Sequence, residues 1–144
     1  MDLNEKTIDR TVIYNGKIVD VEIHTVTLPN GETSTRELVY HNGAVAVCAV
    51  TPKKEVVLVK QYRKPVEKPL LEIPAGKLED DEDRVEAAKR ELEEGTVHLD
   101  EDEFVEVIKV PIENVKSMLM NKEIEDAKTI IALQHLLLNY NHSK

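Results

Sequence analysis

The stretch Gly76–Glu94, which reads GKLEDDEDRVEAAKRELEE, decides the fold of this chain. Val85, Ala88 and Leu92 recur in it at helical spacing, and charged residues fill most of the remaining positions. The segment before it is apolar and leads into the glycine. The stretch therefore predicts a strand, a glycine loop and an acidic helix that begins near Asp83.

Carboxylates are concentrated around this helix, since residues 79–106 hold half of the chain's 28 acids. A charge run is usually a solvated surface, and Asp80 and Asp81 are candidate caps of the helix. Glu91 and Glu94, however, lie three residues apart, which places them on one side of a helix. Carboxylates held together near a core edge repel each other unless a cation lies between them. The spacing therefore predicts a site for Mg²⁺ or Mn²⁺, which prefer oxygen ligands.

The segments on either side of this stretch predict a mixture of strands and helices. Asn15-Gly16 between two apolar runs predicts a type I′ hairpin. The apolar run 44–50 predicts a central strand, and the prolines and charges of 62–69 predict a loop or an irregular edge. Further strands are expected at residues 35–40, 56–59 and 104–110, and further helices at residues 113–120 and 126–138. The last helix carries an apolar stripe made of Ile130, Ile131, Leu133, Leu137 and Leu138.

The composition excludes several classes of protein. The chain has 144 residues, of which 41% are hydrophobic and 33% charged, and this fits one globular domain. A net charge of -9 argues against nucleic acid or a membrane as a partner, so an acidic protein that handles phosphates would need a divalent cation. One cysteine, Cys48, and the lack of any apolar run near ~20 residues predict a cytoplasmic protein without disulfides.

The residues that follow the glycine loop resemble a known family motif. Gly76 is followed by Glu82 after five residues, by Arg90-Glu91 after seven more, and then by Glu94. This order resembles the Nudix box, Gly-x5-Glu-x7-Arg-Glu-U-x-Glu-Glu-x-Gly-U, in which U is aliphatic. Segments across the chain resemble the ADP-ribose pyrophosphatase branch of that family. They are Arg36-Glu37, Gly43–Val47, Lys60–Pro65, Leu71–Gly76, Leu99–Glu103 and Asp126–Thr129.

The resemblance implies a fold and a division of the chain. The implied fold is α+β, a Nudix-type α/β/α sandwich with a mixed β-sheet and an N-terminal antiparallel β-region, and it apparently lacks some central strands. Residues 1–42 would form the β-region, which serves dimerisation and the substrate side. Residues 43–144 would form the Nudix hydrolase domain, truncated internally near 94–99. The expected assembly is a homodimer.

The resemblance also implies an activity. It is Mg²⁺-dependent hydrolysis of the diphosphate of ADP-ribose, or of a related nucleoside diphosphate sugar, to AMP and ribose 5-phosphate. By resemblance the metal ligands are the carbonyl of Ala75 and the side chains of Glu91, Glu94 and Glu103. The other catalytic residues are Glu101, which shares the role of candidate base with Glu103, and Glu82 and Arg90, which orient the glutamates. The substrate-binding residues are Arg36, Arg63 and Glu72.

Simpler roles stay open for several of these residues. Arg36 could pair at the surface with Glu37. Arg63 could pair in the same way with Glu67. The acids of the 99–103 loop could be exposed residues of a turn. The five histidines share no metal-ligand spacing, so each is expected to be an ordinary surface or partly buried side chain.

The motif breaks directly after Glu94. The box requires a second glutamate where this chain has Gly95, and six residues later the chain is already in the acidic loop. By the resemblance roughly 40 residues are absent, enough for several strands. The gap is a true deletion, a segment that the sequence omits, or the mark of a compact variant. A true deletion would leave open sheet edges, so we expect poor stability or pairing of the edge with a partner chain.

Two other functions stay open. Gly95 favours a catalytically impaired or inactive Nudix-like domain that binds a nucleotide without hydrolysis. A plain structural α+β domain would leave the spacing from Gly76 to Glu94 as a coincidence. Release of AMP from ADP-ribose separates the enzyme from both alternatives.

Overall fold

The computed structural model describes residues 2–78, 83–94 and 104–140, and for residues 90–94 it describes the backbone only. Contacts between Cα atoms divide the chain into two compact units, and the boundary lies between Gly43 and Ala44. The two units are described separately below.

The first unit is an antiparallel three-stranded sheet in the order β1-β2-β3. Its strands are β1 (Lys6–Asn15), β2 (Val19–Thr27) and β3 (Thr33–His41). The β2–β3 turn contains Gly31, whose φ of 87° lies in the left-handed region that glycine adopts without strain. The predicted antiparallel meander therefore forms, and β2 lies in the middle of its sheet.

The β1–β2 turn differs from the predicted type I′ turn. Three residues, Gly16–Ile18, separate the strands. Gly16 is not one of the described glycines that have a positive φ. Its amide donates to the carbonyl of Val19 at 3.0 Å. A Cβ on Gly16 would lie 2.3 Å from Cε1 of Tyr14, so the tyrosine ring occupies the space that a side chain would need. Glycine is required here for close approach and not for its dihedral freedom.

The second unit contains five strands and three helices in its described residues. The strands are β4 (Ala44–Ala46), β5 (Glu55–Arg63), β6 (Lys68–Glu72), β7 (Ala75–Lys77) and β8 (Val105–Pro111). The helices are α1 (Arg84–Glu94), α2 (Ile112–Met120) and α3 (Ala127–Tyr140). One sheet has the order β6-β5-β8, and a second pairs β4 with β7. The α+β class is therefore confirmed.

Of the two alternatives predicted for residues 62–69, a loop or an irregular edge, the described residues form the second, a sheet edge that a 3₁₀ turn interrupts. Strand β5 continues to Arg63, a 3₁₀ turn covers Lys64–Val66, and β6 returns with Pro69 opposite Tyr62. Proline is tolerated because β6 is an edge strand of its sheet within the described residues, and an edge residue needs no donor on its outer side.

The prediction of a long central strand over residues 44–50 is wrong. Only Ala44–Ala46 form a strand, and within the described parts of the chain this strand pairs with β7 alone. The amide of Val47 adds one bond to the carbonyl of Pro74 at 2.9 Å. Every ladder among the described residues is antiparallel, so the parallel pairing of a mixed sheet is not found there. A strand becomes central only when both of its edges are paired, and the described residues provide a partner for one edge.

The core of the second unit lies between the β6-β5-β8 sheet and helices α2 and α3. Its buried members are Val56, Leu58, Ile73, Val110, Ile112, Val115, Ile124 and Leu133. The apolar stripe predicted for α3 is broader than the face that packs. Leu133 is buried, Ile130 and Leu137 pack against the core, and Ile131 and Leu138 are 67% and 68% exposed.

Helix α1 begins one turn later than the candidate caps suggest. The Asp83 carboxylate accepts hydrogen bonds from the amides of Val85, at 2.9 Å, and Glu86, at 3.3 Å. Asp83 is therefore the cap, because its oxygen satisfies two amides that the helix itself leaves unpaired. The two candidates, Asp80 and Asp81, lie outside the described residues.

Candidate active site

The segment that contains Gly76 and the acidic helix are neighbours, as the sequence predicts, but Gly76 lies in strand β7 opposite Val45 and not in the predicted loop. Strand β6 ends at Glu72, and two residues later the chain enters β7, whose Ala75 lies opposite Ala46 of β4. Helix α1 packs against both β7 and β4. The backbone carbonyl proposed as a metal ligand therefore belongs to a strand in direct contact with the helix that carries Glu91 and Glu94.

Most of the predicted catalytic side chains lie outside the described residues. The backbone of α1 is helical through Glu94, but the side chains of Arg90, Glu91 and Glu94 are not described. Glu82, Glu101 and Glu103 also lie outside the described residues. Within the described side chains, no group of three or more His, Cys, Asp and Glu residues could hold a metal ion. The predicted roles of these six residues stay predictions.

The predicted substrate-side residues Arg63 and Glu72 form a bidentate ion pair. Nε of Arg63 donates to Oε1 of Glu72 at 2.6 Å, and a terminal nitrogen donates to Oε2 at 2.7 Å. This geometry matches the fork of a guanidinium to the two oxygens of a carboxylate. The simpler pairing of Arg63 with Glu67 is therefore wrong, because Glu67 accepts from Lys64 at 2.7 Å.

A second cation reaches the same carboxylate from helix α3. Nζ of Lys128 donates to Oε2 of Glu72 at 2.5 Å and to Oδ1 of Asp126 at 2.9 Å. Glu72 is 2% exposed, whereas the side chains of Arg63 and Lys128 are 40% and 37% exposed. A buried carboxylate thus lies between two cations that both reach the surface.

A buried threonine completes this network. The hydroxyl of Thr129 donates to Oδ2 of Asp126 at 2.6 Å and accepts from the amide of Ile73 at 2.9 Å. The Asp126 carboxylate also accepts from the amide of Thr129 at 3.0 Å and so caps α3. The first turn of α3 therefore holds Glu72 and Ile73, the segment that leads into strand β7.

The network sets the ionisation of its two carboxylates. Burial alone would raise the pKa of Glu72, but the hydrogen bonds from Arg63 and Lys128 outweigh burial and hold the pKa below its ordinary value. Burial likewise opposes ionisation of Asp126, and the hydrogen bonds from Thr129 and Lys128 lower its pKa. Both groups are therefore negatively charged at neutral pH.

The third predicted substrate residue, Arg36, lies in the first unit. Its Nε donates to Oε2 of Glu5 at 2.9 Å, and a terminal nitrogen donates to the carbonyl of Thr35 at 2.9 Å. The hydrogen bond to Glu5 raises the pKa of Arg36. The simpler pairing with Glu37 is wrong, since the partner comes from the segment before β1.

No functional role follows from the sequence for three residues of the network, and one histidine is more deeply buried than expected. Lys128, Asp126 and Thr129 belong to a segment that resembles the family, but the resemblance assigned them no role. Only the tertiary contact between β6 and α3 reveals them. His24, expected to be an ordinary surface or partly buried side chain, is buried on the central strand of the first sheet. Its Nε2 lies 2.6 Å from Oε2 of Glu22.

Comparison with known proteins defines the class. The model of the NUDIX domain family matches residues 40–116, which is more than half of the chain. A solved structure titled "Crystal structure of ADP compounds hydrolase" superposes with a TM-score of 0.83 at 17% identity, over 97% of this chain and 96% of that one. The superposition confirms the fold. The chain belongs to the Nudix family, whose members generally use divalent metal ions.

Two relatives align over almost the whole chain. The ADP-ribose pyrophosphatase of Bacillus subtilis (strain 168) is 41% identical over 174 residues, which cover 94% of each protein. The methanol dehydrogenase activator of Bacillus methanolicus is also 41% identical, over 172 residues that cover 93% of each. An ADP-sugar pyrophosphatase of Mus musculus is 42% identical over 96 residues, 59% of this chain and 44% of that protein.

The lengths of these alignments bear on the interrupted motif. An alignment of 174 positions is longer than this chain of 144 residues, so at least 30 positions of the Bacillus subtilis relative have no counterpart here. The second alignment, of 172 positions, leaves at least 28. These lengths support the prediction that part of the family's domain is absent. The predicted place of the gap, near 94–99, extends beyond the described residues.

None of the described helices is both long enough and apolar enough to span a membrane.

Proposed function

We propose that the chain catalyses the Mg²⁺-dependent hydrolysis of the diphosphate of ADP-ribose, or of a related nucleoside diphosphate sugar, to AMP and a sugar phosphate. The observation that carries the proposal is the contact between α1, which bears Glu91 and Glu94, and β7, which bears Ala75. The names of the Bacillus subtilis and Mus musculus relatives support the substrate class. The Bacillus methanolicus relative is equally similar but has a different name, so similarity alone does not favour hydrolysis. Hydrolysis is favoured by Glu91, Glu94 and Ala75.

The donor set fits a hard divalent cation. Glu91, Glu94 and Glu103 with the carbonyl of Ala75 would offer only oxygen ligands, which suits Mg²⁺ and also Mn²⁺. A cation held there would neutralise the diphosphate and lower the pKa of the attacking water.

The remaining residues position and exchange protons. Glu101 or Glu103 would accept the proton of the water that attacks phosphorus. Glu82 and Arg90 would orient the metal-binding glutamates, as outer partners of metal ligands commonly do.

Arg63 and Arg36 are the proposed contacts to the substrate. The planar guanidinium of Arg63 is half-exposed while its Nε and one terminal nitrogen hold Glu72, so its position is fixed before a phosphate or a base arrives. Arg36 of the first unit would contact the substrate, and in a homodimer it would reach the active site of the partner.

We also propose that the protein forms a homodimer through the sheet of the first unit. Tyr14, Val21 and Val39 lie opposite one another across the three strands and share one face. Tyr14 and Val39 are exposed in the single chain. A row of exposed apolar side chains is typical of a surface that another chain covers. A cytoplasmic location is proposed from the single cysteine.

The test is the release of AMP from ADP-ribose with and without Mg²⁺. We expect Mg²⁺-dependent release that falls by more than about 100-fold in Glu91→Gln, since even outer partners of metal ligands contribute about 10- to 100-fold. Glu93→Gln is the matched control. It removes the same charge from the same helix at a position that the box leaves open, and we expect it to keep wild-type activity. Equal losses in the two variants would contradict the proposed role of Glu91.

A second function, nucleotide binding without hydrolysis, is favoured by Gly95 and by the relatives' unmatched positions. It predicts no AMP release at high enzyme concentration together with saturable binding of ADP-ribose in calorimetry. Release of AMP that Glu91→Gln abolishes would exclude it.

A further inference from the structure

We propose that Lys128 is a positioning residue of this hydrolase: it holds the carboxylate of Glu72, and Glu72 in turn fixes the guanidinium of Arg63 on the substrate side. The inference rests on the proposed function, because it concerns how Arg63 meets the substrate. It assigns a role to a residue that the resemblance left without one.

The contacts make Glu72 a shared acceptor. Its Oε1 accepts from Nε of Arg63 at 2.6 Å, whereas Oε2 accepts both from a terminal nitrogen of Arg63 at 2.7 Å and from Nζ of Lys128 at 2.5 Å. Lys128 thus holds the same oxygen of Glu72 that a terminal nitrogen of Arg63 binds, and it limits rotation of the carboxylate. Loss of that contact would let the carboxylate rotate, and the fork of Arg63 would rotate with it.

Lys128 is itself held in place from two sides. Its ammonium also donates to Oδ1 of Asp126 at 2.9 Å, and the other oxygen of Asp126 is bound by Thr129. Thr129 is completely buried. The chain of contacts therefore runs from a rigid, buried point in α3 to a half-exposed guanidinium, which is the arrangement that a preorganised binding group requires.

A neighbouring ion pair offers a matched control. Lys68 of β6 donates to Glu125 just before α3, at 2.8 Å, so it also ties β6 to the start of α3. Its contact is with Glu125, whereas Glu72 is held by Arg63 and Lys128. Lys68→Met therefore removes a lysine from the same structural junction without touching the proposed positioning contacts.

The first measurement is steady-state hydrolysis of ADP-ribose by Lys128→Met. We expect KM to rise about tenfold, the typical weight of one charge-assisted hydrogen bond, with kcat changed less than about twofold. Lys128→Arg, which keeps the cation, should recover most of the loss. Lys68→Met should keep wild-type KM and kcat. An unchanged KM in Lys128→Met, or an equal rise in Lys68→Met, would overturn the proposal.

The second measurement is a double-mutant cycle with Arg63→Ala. If Lys128 acts through Arg63, its replacement in the Arg63→Ala background should change KM by less than about twofold. The same tenfold rise in both backgrounds would show that Lys128 acts independently of Arg63. Should Lys128→Met not reach the wild-type circular dichroism spectrum, Lys128→Gln replaces it in the cycle with the same expectation.

The outcomes separate this inference from the proposed function. If wild-type protein releases no AMP, the proposed function fails, and the cycle is repeated on the Kd of ADP-ribose in calorimetry. Coupling of Lys128 with Arg63 in Kd would then uphold the positioning role for binding alone. Wild-type protein that neither cleaves nor binds ADP-ribose would overturn both.

Discussion

Glu72 combines burial, negative charge and hydrogen bonds to two cations in one side chain. It is almost fully buried, yet it stays ionised because Arg63 and Lys128 both donate hydrogen bonds to it. A buried carboxylate with only one of these partners would be much more costly, since desolvation opposes its charge. Glu72 is therefore both a structural tie between β6 and α3 and the support of Arg63.

The lowered pKa values of Glu72 and Asp126 predict how stability depends on pH. Each group binds protons more readily in the unfolded chain, with ordinary pKa values of about 4.3 for Glu and 3.9 for Asp. Their stabilising contribution is complete above those values and is lost as the pH falls through the lower pKa of the folded state. We expect the free energy of unfolding, from urea titrations between about pH 3 and pH 7, to fall below about pH 4.3.

Glu72→Gln should weaken this acid dependence and should destabilise the protein at neutral pH by about 1–3 kcal/mol. Glu67→Gln is the control: Glu67 is exposed, and solvent screening weakens its direct ion pair with Lys64, so its loss should change stability by less than about 0.5 kcal/mol. A Glu72→Gln variant with the acid dependence of the wild type would contradict the assignment.

At the scale of elements, the start of α3 is the junction that holds the site together. Asp126 caps the helix, Thr129 binds the amide of Ile73, and Lys128 binds Glu72. The three side chains lie within four consecutive residues, so one helical turn fixes the segment that leads into strand β7.

Thr129→Val tests this junction. It keeps the shape of the side chain but leaves the amide of Ile73 without its acceptor and removes one of the two hydrogen bonds to Oδ2 of Asp126. We expect a loss of about 2 kcal/mol in the free energy of unfolding in urea. Thr129→Ser keeps the hydroxyl and should cost less than about 1 kcal/mol. Equal losses in the two variants would show that the methyl group, and not the hydroxyl, carries the effect.

The apolar patterns of the sequence were sufficient to predict the ranges of the helices and of one strand. Helices α1, α2 and α3 and strand β8 lie within a few residues of their predicted ranges, because apolar periodicity is a local property. The prolines and charges of residues 62–69 fit both a loop and an irregular edge, and only the sheet order of the described residues shows that β6 is an edge strand. Ile131 and Leu138 are exposed because the packed face of α3 is narrower than its apolar stripe.

At the scale of the whole molecule, the length of the chain and its exposed apolar surface both favour association with a second chain. The longer alignment leaves at least 30 positions of the Bacillus subtilis relative unmatched, and a shorter chain buries a smaller fraction of its surface. Val39, 67% exposed on the sheet of the first unit, is part of an apolar row that a second chain would cover.

We therefore expect light scattering to give twice the 16.3 kDa of one chain. Val39→Lys should shift the protein toward the monomer, because a charge at the centre of an apolar interface is costly to bury. Thr33→Lys, which adds the same charge at the far end of β3, should keep the dimer. A wild-type monomer at micromolar concentration would contradict the proposed homodimer, and a mass per chain well above 16.3 kDa would show that the gap is an omitted segment.

The sequence by itself determined the family, the order in which Gly76 precedes the acidic helix, and the identity of the candidate metal ligands. These follow from fixed residue types at fixed spacings, which are local properties of the chain. It also determined the acidic charge and the approximate helices. Only the tertiary structure decided that Arg63 pairs with Glu72 and that Lys128 joins them, since these residues are far apart in the chain and meet where β6 packs against α3. The same holds for the short β4 and for the buried His24, because burial depends on what the rest of the chain places beside a residue.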